Sequence, residues 1–273
     1  MTTHDASKAG AQAAEPAWWA PRALPKGRTL EAVIGPLRIW LHHGEAAWIV
    51  AWQRDDDMHS MRLAIGESQA EPPEDNRQRH VLDTEAGLVR LLPALMERPV
   101  VVRTLEPVFL SSGESTTLYI STPLSLSVCV GDAARPLCEI PTLRLSDTWF
   151  GPNTREGTVC FAARTHARTA LAELPRRPHR AISPVQIRNR AASALSLERL
   201  SLPVPALGLY GDARHGLWTQ SLTLDRDDDD DAAALRVRDG APAEAPGGAA
   251  VAPARVPVSR GAAIRAFSRI FRE

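Results

Sequence analysis

The stretch STPLSLSVCV, residues 121–130, decides the fold class. Leu124, Leu126, Val128 and Val130 share one parity, while Ser125, Ser127 and Cys129 share the other. Successive side chains of an extended chain point to opposite faces, so this alternation predicts a strand with one apolar and one lightly polar face, as a half-covered antiparallel sheet requires. Upstream, GPLRIWLHHGEAAWIVAWQR (35–54) carries the same signal. Leu37, Ile39 and Leu41 alternate with Arg38, Trp40 and His42, and a His43-Gly44-Glu45 turn leads into Ala47–Trp52, which together read as a hairpin.

The pattern continues in both directions. MRLAIG (61–66) adds a short strand, and EPPEDNRQRH (71–80) a polar surface loop. In 81–92, Val81, Leu82, Leu88, Leu91 and Leu92 fit one helix face, and Gly87 counts against a helix. Strands are expected at Val100–Thr104, Val108–Leu110, Thr117–Ser121, Thr158–Ala163 and Ile182–Arg188, and Arg164–Leu174 reads as a short helix or an irregular arm. In LSLERLSLPVP (195–205), Leu195 and Leu197 share one parity but Leu200, Leu202 and Val204 the other. One apolar face is restored by a slip near Arg199, so a bulge or bend is predicted there. Leu217–Leu224 and Ala234–Val237 form a last hairpin whose loop carries Asp227–Asp231.

Short strands punctuated by Pro, Gly and Ser predict a mainly β protein built on an antiparallel β-sandwich, immunoglobulin-like or related, over 100–239. A β-rich N-terminal module at 27–99 contains the hairpin. Residues 1–26 read as a disordered tail, with the adjacent Trp18 and Trp19 as its exception. Residues 240–258 read as a flexible Ala/Pro/Gly linker. At 259–273, Ile264, Phe267, Ile270 and Phe271 fall at helical spacing apart from Arg265, Arg269 and Arg272, which predicts a short amphipathic helix with Ser259 as a candidate N-cap. A helix of about three turns is marginal alone, so it is expected to dock on a protein partner or a second copy of the chain.

Composition narrows the function. Of 273 residues, 44% are hydrophobic and 23% charged, with 32 basic against 32 acidic side chains, which gives no global attraction to nucleic acid or an anionic membrane. Cys129, Cys138 and Cys160 lack CxxC spacing and are odd in number, which fits a reducing compartment. The sequence shows no apolar run of membrane-spanning length and its amino terminus lacks a leader pattern, so a cytoplasmic protein is expected.

The densest polar and aromatic cluster is PTLRLSDTWFGPNTREGTVCFAARTHAR, residues 141–168. Asp147, Arg164 and His166 are its candidate catalytic or ligand-facing residues. Asp147 alternatively accepts backbone N–H bonds in its own turn. Cys160 is placed between a nucleophile and a small core residue, and its strand parity with Ala162 favours the core. Arg144, Arg155, Arg164 and Arg168 read either as an anion-binding surface or as ion-pair partners. His42, His43, His59 and His80 lack metal-ligand spacing, and no metal or cofactor is expected. Asp225 and Asp227–Asp231 form a run without a calcium loop's spacing or glycine, expected to stay exposed. RRPHR and IRNR, holding Arg176, Arg177, His179, Arg180, Arg188 and Arg190, make the most basic stretch, without the aromatics of a single-strand platform.

Residues 35–237 resemble the DUF432 family, prokaryotic proteins with no assigned activity. The resemblance rests on GPLRIW, STPLSLSV, EIPTLRLSDTWFG followed by EGTVCFAARTHAR, and later IRN, LERLSLPVPALGLYG and LWTQ. It implies an accessory role, since members are sometimes linked with small-conductance mechanosensitive channels, and it carries over no catalytic residues. The functional expectation is a non-catalytic accessory, scaffold or interaction protein that docks through Ile264, Phe267, Ile270 and Phe271, with Arg265 and Arg269 at the rim. The alternatives are a small-ligand binder or enzyme using Asp147, Arg164 and His166, and a peripheral membrane regulator whose terminal helix makes weak surface contact.

Overall fold

The computed structural model describes residues 16–82, 87–132, 134–153, 155–228, 232–257 and 263–268. The strands in chain order begin with β1 (Arg22–Ala23), β2 (Thr29–Ile34), β3 (Leu37–His43), β4 (Trp48–Arg54), β5 (Leu63–Ser68), β6 (Gln78–His80) and β7 (Leu88–Leu95). They continue with β8 (Val100–Leu110), β9 (Ser115–Val130), β10 (Arg135–Pro141), β11 (Asp147–Phe150), β12 (Thr158–Ala167), β13 (Arg180–Asn189) and β14 (Leu195–Leu202). The last are β15 (Leu209–Gly211), β16 (Leu217–Thr219), β17 (Leu222–Arg226), β18 (Ala232–Val237), β19 (Ala249–Ala252), β20 (Ala263–Arg265) and β21 (Phe267–Ser268). Two 3-10 turns, at Leu171–Glu173 and Val204–Ala206, are the helical segments among the described residues. The chain is mainly β, as the alternation predicted.

The first sheet has the order β5-β2-β3-β4-β6. Its centre is the predicted hairpin, in register from Leu37 opposite Arg54 to His43 opposite Trp48. The second sheet is organised by β9, which pairs with β7 and β10 over its C-terminal half and with β13 over its N-terminal half. The face expected to be solvated is largely covered, with Ser127 half-buried. Ser125 and Cys129 are buried, and the Ser125 hydroxyl meets Met96 Sδ at 3.4 Å. The third sheet runs β11-β12-β8-β14-β21.

Several expectations are corrected. The first sheet is purely antiparallel, but the other two are mixed: β8 and β12 run parallel, as does β13 with β16 and with β17. Strands from 100–239 divide between two sheets, but the larger also takes β1 and β7 from before residue 100 and β19 and β20 from after residue 239. The ambiguous stretch 88–92 is strand, and Arg164–Leu174 continues β12 before its 3-10 turn. Within the expected tail, Trp18 is buried and Arg22 pairs with Val89. Residues 1–15 lie outside the described residues. The stretch expected to be a flexible linker pairs β19 with β15, and Arg255 donates from Nε to the Leu95 carbonyl at 2.6 Å.

The terminal helix is replaced by two short strands. Ile264 lies opposite Ala233 on β18, Phe267 opposite Leu200 on β14, and Ala266 between them is fully buried. Arg265 lies opposite Ala232. Spacing of i and i+3 suits a helix, but pieces of two or three residues carrying one large apolar side chain suit strands equally, and two open strand edges supply the backbone partners. Arg269, Ile270 and Phe271 lie outside the described residues.

One continuous core joins the sheets. Leu24, Ile34, Leu37 and Ile39 belong to one connected cluster with Leu118, Ile120, Leu124 and Leu126 of β9 and Val100, Val102 and Leu202 of the third sheet. Each such side chain, fully buried, contributes about 1.5–3 kcal/mol relative to exposure. Gly35 couples the first sheet to the second. It turns β2 into β3 at φ 61°, and it lies so close to the His179 ring that a Cβ there would fall 2.0 Å from Nδ1. His179 is buried, and its Nε2 lies 3.3 Å from the Met58 carbonyl. A carbonyl can only accept, so the ring carries its proton on Nε2. Burial, with Arg180 nearby, pushes its pKa down to about 3.

Candidate functional site

The third sheet places its basic residues through two register breaks. On β12, three residues, Ala163–Thr165, stand where β8 has only Val102, and Arg164 adopts φ 53° within that bulge. On the other side of β8, Thr104–Pro107 stand opposite Glu198 alone, between the Leu197–Val108 and Arg199–Arg103 pairs. That second break is the slip predicted near Arg199. Between the breaks, His166, Arg103 and Arg199 come into register on three adjacent strands.

Directly paired residues share a sheet face, so this row presents three basic side chains side by side. They line a groove of about 320 Å³ together with Arg164, Thr148 and Thr165. No Asp or Glu is among its described lining residues. Arg199 is the most enclosed of the cations. It donates from Nη2 to the Trp149 carbonyl at 3.1 Å, its guanidinium lies 5.6 Å from the Phe150 ring centroid, and its buried Nε has no hydrogen-bond partner. Burial and the neighbouring Arg103 both lower its pKa. Arg164 donates from Nη2 to Ser146 Oγ at 2.7 Å, which orients one edge of the guanidinium.

Of the three sequence candidates, Arg164 and His166 therefore meet in one groove and Asp147 does not join them. Thr148 lines the groove, and alternation turns its neighbour Asp147 to the other face of β11. There Asp147 pairs with Arg98 at 3.2 Å. Cys160 is fully buried with Val101 and Phe150, and burial raises its thiol pKa, although Ser201 and Arg199 oppose that shift. It is the core residue that its parity suggested. Arg144 and Arg155 are absent from the groove lining, and Arg168 lines a separate hollow with Thr104 and Glu173.

Two of the histidine candidates are occupied locally, and His80 Nε2 is buried without a hydrogen-bond partner. His43 stacks on Trp48 at 4.0 Å, and His42 Nδ1 lies 2.9 Å from the Thr29 hydroxyl. No metal-binding group of three His, Cys, Asp or Glu residues occurs among the described residues. The acidic run is not uniformly exposed: Asp225 is fully buried between Arg236 at 3.1 Å and Arg190 at 3.6 Å. Residues 229–231 lie outside the described residues.

Two basic residues of the groove, Arg103 and Arg199, escaped the sequence reading. Arg199 had a signal, because the parity slip marked its neighbourhood as irregular. Arg103 had none, since its neighbours are set by pairing with strands that lie about sixty and ninety-six residues away in sequence. No helix among the described residues is long and apolar enough to cross a membrane.

Comparison with curated proteins and with solved structures returned no match. The family profile described as "Protein of unknown function (DUF432)" matches residues 18–272, nearly the whole chain and more than the 35–237 that the resemblance covered. The chain belongs to the DUF432 family.

Proposed function

We propose that this chain is a non-catalytic recognition protein whose basic groove captures a phosphate- or carboxylate-bearing ligand. The row His166–Arg103–Arg199, with Arg164 beside it and no carboxylate lining the groove, carries this reading. Like charges directly opposite on neighbouring strands destabilise a sheet, and a bound oxyanion bridging them removes that cost. Guanidinium forks match oxyanions in geometry, and the Thr148 and Thr165 hydroxyls border the same space.

Recognition is favoured over catalysis because the groove offers donors without an acid–base pair. Asp147 is committed to Arg98 on the opposite face, and the Cys160 thiol is enclosed and stays protonated. The free cysteines, two of them buried, support a reducing compartment such as the cytoplasm. An accessory role fits a protein that binds without reacting. Docking by a terminal helix is not retained, since residues 263–265 and 267–268 are strands of the chain's own sheets.

Calorimetric titration of pyrophosphate into the wild type and into Arg103→Ala and Arg164→Ala tests the reading. Each lost charge-assisted bond corresponds to about 1.5–3 kcal/mol, or roughly 10- to 150-fold in affinity. Wild-type binding should weaken further as salt rises from low to molar ionic strength. Equal affinity in wild type and both variants, or no binding at millimolar pyrophosphate, refutes it.

A further inference from the structure

A second cavity, of about 430 Å³, lies where the N-terminal segment meets the RRPHR stretch and the 212–216 loop. That volume falls within the range of small-molecule sites, roughly 300–1,000 Å³. Its lining mixes two chemistries. Trp18, Met61, Leu63 and Ile182 supply apolar surface, and Met61 and Leu63 are 63% and 49% exposed. Arg176, Arg177, Arg180 and Arg214 supply positive charge.

The cations are only partly balanced. Arg176 pairs with Asp212 at 3.1 Å, and Arg177 lies within electrostatic reach of Asp57. Arg180 is 3% exposed and pairs with no carboxylate among the described residues. Its Nη1 and Nη2 donate to the carbonyls of Ser121 at 2.9 Å and Ala163 at 3.3 Å, and its Nε has no partner. A buried charge without a counterion is costly, and neutral carbonyls compensate it only in part. Burial and Arg177 bring its pKa down to about 9, as expected of a cation short of negative charge.

The loop that completes the wall is held in shape. Asp212 Oδ1 accepts the N–H groups of Arg214 and Gly216, both at 2.8 Å, and Oδ2 accepts Trp218 Nε1 at 2.8 Å. His215, at φ 60°, sets its ring edge-on to Trp19 with centroids 5.9 Å apart. The backbone that carries Arg214 is therefore set before any ligand arrives, which reduces the ordering cost of binding.

The geometry points to a second binding site, independent of the sheet groove, for an amphiphilic organic anion: an apolar body against Trp18, Met61 and Leu63, and an anionic head at Arg180 and Arg214. The groove lacks such a wide apolar wall, since its smaller lining residues are Val101, Ala162 and Ala163. The two sites therefore differ in ligand class, small oxyanion against amphiphile.

Calorimetry with decanoate below its micelle concentration tests this on the full chain, with decanol as the uncharged control. Arg180 is too buried for a clean variant, so Arg214→Ala and Met61→Glu are used, both at exposed positions. Decanoate should bind at least tenfold tighter than decanol. Arg214→Ala should weaken it about tenfold, Met61→Glu should abolish binding, and Arg103→Ala in the groove should leave it unchanged. Equal binding of decanoate and decanol, unchanged affinity in both cavity variants, or no binding at millimolar decanoate overturns the assignment.

Discussion

Replacing Gly35 by Ala is the sharpest perturbation of the contact between the first two sheets. Three costs add at this position. The backbone is left-handed at φ 61°, which costs an L-residue about 1–2 kcal/mol, less roughly 0.4–1 kcal/mol recovered from a stiffer unfolded chain. The new Cβ would also fall 2.0 Å from His179 Nδ1 and 2.6 Å from Cγ. That ring is fully buried and tied to Met58, so either the turn or the ring must move. Overpacking of this kind costs about 1–3 kcal/mol, and a lost hydrogen bond about 1 kcal/mol more. The expected total is about 2–6 kcal/mol. Gly113 is the internal control: it also has positive φ, 81°, but a Cβ there meets nothing within 4 Å. Gly113→Ala should cost only about 1 kcal/mol. Urea denaturation of both variants measures the difference as a shift in midpoint. In the double variant Gly35→Ala/His179→Ala the cavity receives the methyl group, so the two losses should fall short of additive. If Gly35→Ala is no more damaging than Gly113→Ala, the packing of the hairpin turn on His179 is wrong.

Acid should weaken the fold through His179. Its folded pKa is about 3 and its unfolded pKa about 6.5, so the unfolded chain binds the extra proton between those values and stability falls as pH drops. Between pH 7 and pH 5 the loss should be about 2 kcal/mol by urea titration, and His179→Gln should remove that pH-dependent component; an identical slope in wild type and variant refutes it. Asp212→Ala should cost about 2–4 kcal/mol, because it strands the Trp218 N–H in the interior and releases two backbone donors, and a thermal scan showing no change contradicts that loop geometry. The Asp212 carboxyl is raised by burial but held below its usual range by Trp218, Gly216, Arg214 and Arg176. The stability it supplies is therefore present above the ordinary carboxylate pKa and is lost only as pH falls below it.

Local patterns in the sequence survive into the fold where a strand's own period or a change in it carries the information. The alternation at Leu124–Val130 became the C-terminal half of β9, the 37–54 stretch became a hairpin in register, and the parity change around Arg199 became a register break on β14. Period and turn residues hold that information within a few positions of each other. The parallel pairing of β8 with β12 is not of this kind, since nothing in either strand's period names its partner or direction. Half of the groove was legible for the same reason: Arg164 and His166 sit in the conspicuous 141–168 cluster, whereas Arg103 joins them only through long-range register. The second cavity had a partial signal in the RRPHR stretch, but the Trp18, Met61 and Leu63 part of its apolar lining comes from residues more than a hundred positions earlier. At the C-terminus, Ile264 and Phe267 matched a helical period over too few residues to exclude strands, and the open edges of β14 and β18 decided the outcome.

Crystals grown in selenate, with diffraction recorded at the selenium edge, would locate an oxyanion in the sheet groove itself. The expected result is an anomalous peak within hydrogen-bond reach of the Arg103, Arg164 and Arg199 guanidiniums, lost in Arg103→Ala. Selenate ordered elsewhere on the protein while the groove between β8, β12 and β14 shows no peak would contradict anion recognition by this row of cations.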